Sequence, residues 1–449
     1  MTQTTNIHPP KSKLRIQKVF SHAKELKGQD PVILTLFSLL AALILFSYAL
    51  VRGPSESLFL KAHDNSLNPG LWIEVGLSVI VLVSIYNRAL RRFNLTQLFQ
   101  VSIWISIITL CFLQTGQLFS APQEISVFNL QFPISQQAAL RIWSDLYIVL
   151  LVESFWSLAN QHFPLKSARF LYGILCILGT FGSMLGNLLV ANYAKDWGSE
   201  TLISMAIPAL ILLSLVLVPL SIKLKRLSGT DESTQTVVPN QSPQNSSLSE
   251  GLRIIWHSRY LTPLLFMVLL SQISITLIDY QYNAFLQDTF IDVEQRSSIN
   301  AYVYLSIDVG ALVFQLLSGA VIVLLGVGST LLAIPSILFI FCLFPIFSPM
   351  FWAIATAKSA GKFMSYSIFK SAKELVYLPL SYEEKTQGKA VIDIMVYRQA
   401  KLLASTALLI LTAWSINHYT VTALTLISLA AWGLASLVIR RRSSILDQH

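Results

Sequence analysis

The residues of this 449-residue chain that could do chemistry are ionisable side chains set inside long apolar stretches. Each costs roughly 2.5–3.5 kcal/mol or more at the centre of a membrane helix, so it is kept only against a partner or a wet cavity. Asp145 and Glu153 stand in an apolar run at 140–160, Asp279 in one at 259–285 and Asp308 in one at 299–323. Lys358, Lys362, Lys370 and Lys373 share the run 350–378, with Glu374 beside the last of them, and Asp393, Arg398 and Lys401 share 389–414. Such a set suits the binding of an anion, because Lys and Arg in a low-dielectric cavity neutralise it through charge-assisted hydrogen bonds. Trp143, Tyr147, Trp156, Tyr280, Tyr282 and Tyr397 are candidates to stack on a planar ring, although most aromatics in membrane spans serve packing or the interface.

At about 100° per residue, an unbroken helix over 350–378 puts Lys358, Lys362 and Lys373 within a sector roughly 60° wide, with Lys370 about as far round again. A cationic face cannot look at lipid along its whole length, so it is expected to line a polar cavity or pair with acids such as Asp308 and Asp393. Snorkelling to the headgroups is the plainer alternative for Lys370 and Lys373 at the end of the run, and for Lys362. Arg398 and Lys401 lie one turn apart, and an Asp393–Arg398 contact would leave Lys401 free. The candidate substrate contacts are therefore Lys358, Lys362, Arg398, Lys401, Asp145, Asp279, Tyr147 and Tyr280. Asp308, Lys373, Glu374 and Asp393 are given structural or coupling roles.

The composition says what must hold these side chains in place: 54% of the residues are hydrophobic and only 12% charged, which excludes an ordinary soluble enzyme. Apolar runs of about 20 residues, each long enough to cross the hydrocarbon as a helix, occur at 32–51, 71–90, 98–119, 140–160, 169–192, 201–222, 259–285, 299–323, 327–346, 350–378, 389–414 and 418–439. The predicted fold is all-α and integral to the membrane, with twelve transmembrane helices. A polar stretch at 223–256, rich in Ser, Thr, Gln, Asn and Pro, divides them six and six. The expected organisation is a cytoplasmic tail over 1–31, a first six-helix half over 32–222, a cytoplasmic linker over 223–258, a second half over 259–439 and a cytoplasmic tail over 440–449. That is the layout of major facilitator transporters, whose halves rock about a site at the bilayer midplane.

Orientation follows from the basic residues. Arg88, Arg91 and Arg92, Lys166 and Arg169, Lys223, Lys225 and Arg226, Lys385 and Lys389, and Arg440, Arg441 and Arg442 mark alternate loops and the C-terminal tail, whereas 120–139 has no Lys or Arg and 286–298 has Asp288, Asp292 and Glu294 against one Arg296. Both termini and the linker are expected on the cytoplasmic side of a bacterial inner membrane. Leu252, Ile254, Ile255 and Trp256 beside Arg253, His257 and Arg259 suggest a short interfacial helix, or an ordinary loop end, before the second half. The net charge of +9 fits cytoplasmic loops near anionic headgroups, and no nucleic-acid partner is expected. Cys111, Cys176 and Cys342 lie in apolar runs without metal or disulfide spacing. There is no phosphate-loop motif, no H-E-x-x-H and no G-x-S-x-G, so neither catalytic residues nor a cofactor or metal are expected, and energy must come from a gradient or from exchange.

Three stretches resemble one known family. Ser144-Asp145-Leu146-Tyr147, Phe155-Trp156-Ser157-Leu158-Ala159-Asn160-Gln161 and Ser167-Ala168-Arg169-Phe170-Leu171-Tyr172-Gly173 are similar, in order, to the E-L-W, F-W-G-F-A-N and E-A-K-R-F-Y-P-L-F-G segments of the bacterial and plastid ATP/ADP translocases. Lys373-Glu374-Leu375-Val376-Tyr377-Leu378-Pro379-Leu380, Glu383-Glu384-Lys385 and Lys389-Ala390-Val391-Ile392-Asp393 resemble that family's R-E-M-x-[FY]-I-P-L, E-x-K and K-A-x-I-D-V. Val51-Arg52 through Leu58 is similar to its L-R-x-x-K-D-x-L. The resemblance implies that Lys401 falls on a lysine the family uses for nucleotide phosphate. It also shows departures: Ser55 stands where the family has Lys, Asp145 replaces Glu, and Leu277-Ile278-Asp279-Tyr280 replaces E-V-T-W.

The leading expectation is a secondary transporter, monomeric and in contact with lipid, that exchanges or imports nucleotides or a related phosphorylated anion. Asp145 and Asp279 would balance the empty cavity or carry a proton. A proton-coupled carrier of another organic anion, and a non-transporting receptor or assembly factor built on a transporter fold, are the alternatives.

Overall fold

The computed structural model describes residues 30–90, 92–116, 122–127, 130–163, 165–228, 248–347, 350–377, 380–381, 384, 389, 391–414 and 418–446. Every apolar run is helical over most of its described residues. In order they are α1 (Pro31–Ala62), α2 (Asn68–Ala89), α3 (Leu95–Gln114), α4 (Gln136–His162), α5 (Leu165–Trp197), α6 (Ser199–Ser204) and α7 (Ala206–Ser228). After α8 (Leu248–His257) come α9 (Leu261–Thr289), α10 (Val293–Leu325), α11 (Val327–Phe347), α12 (Phe351–Met364), α13 (Lys370–Val376), α14 (Tyr397–Ala413) and α15 (His418–Leu446). Among the described residues, 10 helical stretches are long and apolar enough to cross a membrane, so the chain is a multi-pass integral membrane protein. The runs 350–378 and 389–414 are interrupted by π-helical segments, Ser365–Phe369 and Val391–Val396.

Two of these elements differ from their sequence patterns in ways that matter below. Hydropathy ends the first run at 51, but α1 continues to Ala62 through Gly53, Pro54 and three polar residues. Buried surroundings sustain it: Ser55 and Ser57 return their hydroxyls to the carbonyls of Arg52 (3.2 Å) and Gly53 (3.1 Å), so the polar turn needs no water. In the run 350–378 the π segment holds an extra residue per turn and shifts everything after it by roughly a quarter turn, so the single lysine face computed for an unbroken helix does not form as drawn.

The expected interfacial stretch at 252–256 is helical, as α8. Between α3 and α4 lies a hairpin unforeseen from the sequence, β1 (Gln123–Val127) paired antiparallel with β2 (Leu130–Ile134), Gln123 opposite Ile134. It lies on the start of α2, where a Cβ on Gly70 would come 2.7 Å from the Gln131 carbonyl.

One apolar core joins α1, α3, α4, α5 and α7 around Phe37, Phe99, Leu151 and Leu210, and another joins α9, α10, α11, α12, α13 and α15 around Met267, Leu338, Ile354 and Trp432. α5 crosses α1 closely, with Gly179, Gly182 and Gly186 along one face against Ala41, Ala42, Phe46 and Ala49. The hairpin end of the bundle is tied across the two groups by polar contacts. Gln287 donates to the carbonyls of Leu60 (2.8 Å) and His63 (2.9 Å), Arg296 to that of Ser57 (3.3 Å), and the Ser199 hydroxyl to Glu294 (2.5 Å). At the opposite end Lys223 pairs with Asp30 within the first group and Lys389 with Glu374 within the second.

Candidate functional site

Helical spacing of four residues builds the site. Tyr48, Arg52 and Glu56 follow one another by one turn each along α1, and Asn300, Tyr304 and Asp308 do the same along α10, so each helix presents a polar ladder on one side. Arg141 and Asp145 are one turn apart on α4, and Lys358 and Lys362 on α12; α9 adds Asp279, Tyr282 and Asn283. The ladders meet inside the bundle.

Glu56 accepts from Asn283 Nδ2 (2.9 Å), Asn300 Nδ2 (3.0 Å) and the Tyr304 hydroxyl (3.0 Å), joining α1 to α9 and α10. Asp308 Oδ2 accepts from the Ser183 hydroxyl (2.6 Å) and Asn187 Nδ2 (2.7 Å) and lies 3.5 Å from Arg52 Nη2. The Arg52 guanidinium sits 3.9 Å over the Tyr304 ring and 5.4 Å from that of Tyr48. From there the aromatic path continues through Tyr147, 6.3 Å from Tyr48, to Trp143, stacked on Tyr147 at 4.4 Å.

Asp279 is shared by two lysines. Lys362 Nζ meets its Oδ2 at 2.6 Å and Lys358 Nζ is 3.8 Å from its Oδ1, while the Lys358 ammonium also lies 3.6 Å over the Tyr282 ring. Arg141 binds Asp145 at 2.9 Å. Lys401 is 5.7 Å from the Trp72 ring and within electrostatic reach of Asp145, Asp279, Lys362 and Arg141. Apart from Lys358, at 2%, the paired side chains keep 12–22% of their surface accessible, as expected of groups lining a wet crevice rather than a dry core.

The site also holds spare hydrogen-bonding capacity. Arg52 Nε and Nη2, Trp143 Nε1, Asn283 Oδ1 and Asp279 Oδ1 are buried without a hydrogen-bond partner. Buried orphan donors are rare and costly, and here they sit among cations where a ligand's oxygens would satisfy them. No group of three or more His, Cys, Asp or Glu that could hold a metal occurs among the described residues.

Several expectations are corrected by this geometry. The lysines of α12 pair with Asp279 rather than Asp308, which belongs instead to Arg52, Ser183 and Asn187 across the α1, α5 and α10 contact. Tyr280, a candidate substrate contact, is buried among Trp72, Leu277, Leu408 and Val421. Tyr147 and Asp145 are in the cluster. Trp156 packs on Phe155 and Tyr172, and the Glu153 side chain is exposed. Glu374 pairs with Lys389 at 2.5 Å beyond the π segment, with half-buried Lys373 beside it and Lys370 exposed. The side chains of Asp393, Tyr397 and Arg398 lie outside the described residues. Ser55, where the family resemblance had placed a lysine, is fully buried and bonded back to its own helix.

The sequence reading missed Arg52, Glu56, Arg141, Tyr48 and Tyr304. A signal for all five was present: polar residues repeating every four positions through otherwise apolar helices, which marks an inward face even where hydropathy has fallen.

With the site described, comparison with known proteins gives it a context. "ADP,ATP carrier protein 3" of Rickettsia prowazekii is 22% identical over 440 residues, covering 85% of this chain and 86% of its own length. "ADP,ATP carrier protein 1" of Chlamydia muridarum is 23% identical over 462 residues, covering 89% and 84%. Among solved structures, the nucleoside transporter NupG superposes with a TM-score of 0.62 over 91% of this chain and 98% of that one at 11% identity, and a D-xylose-proton symporter with 0.57 over 91% and 96% at 13%. These superpositions show that the chain shares the fold of those transporters. The TLC ATP/ADP transporter family model matches residues 138–442, and the chain belongs to that family.

Proposed function

We propose that the protein is a membrane transporter of nucleotides, carrying ATP, ADP or a closely related phosphorylated anion by alternating access. The observation that supports this most is the gathering of Arg52, Arg141, Lys358 and Lys362 inside an apolar bundle, with the more exposed Lys401 beside them, against the four carboxylates Glu56, Asp145, Asp279 and Asp308. Among the described residues, five cations face four anions, so the cluster is near neutral without a ligand. A polyphosphate, with its multiple negative charges, would compete with the carboxylates for cations such as Lys362 and would satisfy the orphan donors of Arg52. Tyr48, Tyr147 and Trp143 supply a planar surface for a base.

The finer architecture belongs to the same proposal. The two π-interrupted runs cross the membrane as well, giving twelve spans in two halves, 32–222 and 259–439, with both termini and the linker cytoplasmic in a bacterial inner membrane. The protein acts as a monomer. No chemical transformation of the substrate is involved.

The test is uptake of labelled ATP and ADP by proteoliposomes containing the purified chain. An exchanger takes up label faster when the vesicles are preloaded with unlabelled ADP and is little affected by a pH gradient. Absence of nucleotide uptake under both conditions overturns the proposal; accumulation in empty vesicles that stops when the proton gradient is dissipated replaces exchange by proton coupling.

A further inference from the structure

A second charged site lies far from the central one, where α9 and α15 leave the apolar core beside α8. A cleft of about 410 Å³ opens there, lined by Trp256, His257, Arg259, Phe266, Val438 and Arg442, among others. Its depth in the membrane is set by its own helices: α9 begins at Leu261, and the apolar stretch of α15 ends at Arg442. The cleft therefore sits at headgroup level, whichever face of the membrane it is on. Three cationic or protonatable side chains line it, and Arg442 Nη1 is buried there without a hydrogen-bond partner. His257 donates its Nδ1–H to the Arg253 carbonyl (2.8 Å), leaving Nε2 as the ring's other polar atom. Among the described residues, the carboxylate of Glu384 is in contact with the lining, and it is already engaged by the Ser258 hydroxyl and by the Ser381 amide (3.0 Å).

The apolar walls are as telling as the charges. Trp256 is 62% exposed and meets the 40% exposed Phe266 edge to face at 6.3 Å. Ile255 of the same short helix is 1% exposed, buried in the second core. α8 is thus anchored on one side and shows an aromatic side chain outward, as a helix lying in the membrane interface does. We propose that this cleft binds an anionic phospholipid, its headgroup phosphate held by Arg442, Arg259 and His257 and its acyl chains laid along Phe266 and Val438. The combination of a buried, unpartnered guanidinium nitrogen with exposed aromatics at headgroup depth favours a lipid over a soluble phosphate, which has no use for the apolar walls.

The experiment is tryptophan quenching on the delipidated full-length protein in mixed micelles, with brominated phosphatidylglycerol or brominated phosphatidylcholine as quencher. Subtracting the Trp256→Phe signal isolates Trp256. Expected is half-maximal Trp256 quenching at an about tenfold lower mole fraction of the anionic lipid, with that preference lost in Arg259→Gln/Arg442→Gln. Should the double variant fold poorly, the exposed Arg259→Gln alone is expected to reduce the preference, and Arg88→Gln/Arg92→Gln, at the end of α2, to leave it intact. Equal quenching by the two lipids overturns the site, as does a preference that survives in both cleft variants. Release of the anionic lipid's quenching by 10 mM inorganic phosphate, with no effect of chloride at matched ionic strength, would make it a site for soluble phosphate and overturn the lipid assignment.

Discussion

Lys362 and Arg52 show why a charge in a membrane helix is informative only together with its partner. Lys362 is held by Asp279 at 2.6 Å, whereas Arg52 keeps two buried nitrogens unsatisfied although Asp308 is 3.5 Å away. Asp308 Oδ2 already accepts from Ser183 and Asn187, so Arg52 has the greater freedom to donate to a substrate. Arg52→Gln is therefore expected to weaken nucleotide affinity by about 1.5–3 kcal/mol, roughly ten- to hundredfold in KM, and Lys362→Ala by a similar amount. Unchanged uptake kinetics in both variants at equal membrane abundance would make the two cations structural. Asp145, Asp279, Lys358 and Lys362 were legible from the sequence because each is a charge inside an unambiguous apolar run. Arg52 and Glu56 were not, because the polar turn around them reads as a helix end and only buried neighbours keep it helical.

Among the elements, α5 and the hairpin each yield a prediction. A Cβ on Gly182 would fall 2.1 Å from the Ala42 carbonyl, a backbone atom that cannot swing aside. Gly182→Val is expected to force α5 from α1 and to lower stability by about 1–3 kcal/mol, seen as a drop in thermal midpoint in detergent, while Gly433→Val, with open space around it, is expected to cost far less. Equal midpoints for the two variants would contradict the close crossing.

The hairpin is tied to the end of α1 by the buried contact of His63 Nε2 with the Ser135 hydroxyl (2.8 Å), while Ser135 Oγ also accepts from the Ala138 amide (2.9 Å) at the start of α4. Burial pushes the His63 pKa below its ordinary 6.5, against the opposing pull of Glu124. The folded state thus prefers the neutral ring. Its contribution is complete above pH 6.5 and is lost as the pH falls from 6.5 through the lowered folded value. Amides of β2 and the first turn of α4 are expected to exchange faster at pH 5 than at pH 7.5 after correction for intrinsic rates, and His63→Gln to remove the difference. Protection that does not change with pH in the native protein would refute it. Neither the hairpin nor the π segments were legible from the sequence: two five-residue strands vanish in a loop read for its missing charges, and a π turn leaves no mark in hydropathy.

For the whole molecule, the apolar runs predicted every long helix but not how the two groups of helices meet. Contacts such as Ser183 and Asn187 with Asp308, or Ser199 with Glu294, join residues about a hundred positions apart and exist only once the bundle has assembled. The contact of Ser199 with Glu294, together with those of Gln287 and Arg296 with the end of α1, describes a bundle closed at the hairpin end. If the hairpin end faces outward, Gln123→Cys is expected to react with an impermeant thiol reagent on intact cells, while Asn240→Cys and Ser444→Cys resist it until the membrane is permeabilised. Labelling of Ser444→Cys from outside would reverse the orientation.

Alternating access further requires that the closed end open in each cycle, and one contact allows that to be tested directly. The Ser199 and Ser297 hydroxyls lie 2.7 Å apart, fully buried, on α6 and α10 from opposite groups. Cysteines at both positions, with Cys111, Cys176 and Cys342 replaced, are close enough to oxidise to a disulfide. The oxidised protein is expected to keep nucleotide binding from the opposite side but to lose uptake, and reduction to restore the rate of the uncrosslinked double variant. Because that variant also loses the hydroxyl that serves Glu294, its reduced form is the proper reference. Uptake by the fully crosslinked protein at the reduced rate would mean that the halves do not part at Ser199 and Ser297, and the rocking of the two halves about the central cations would have to be abandoned.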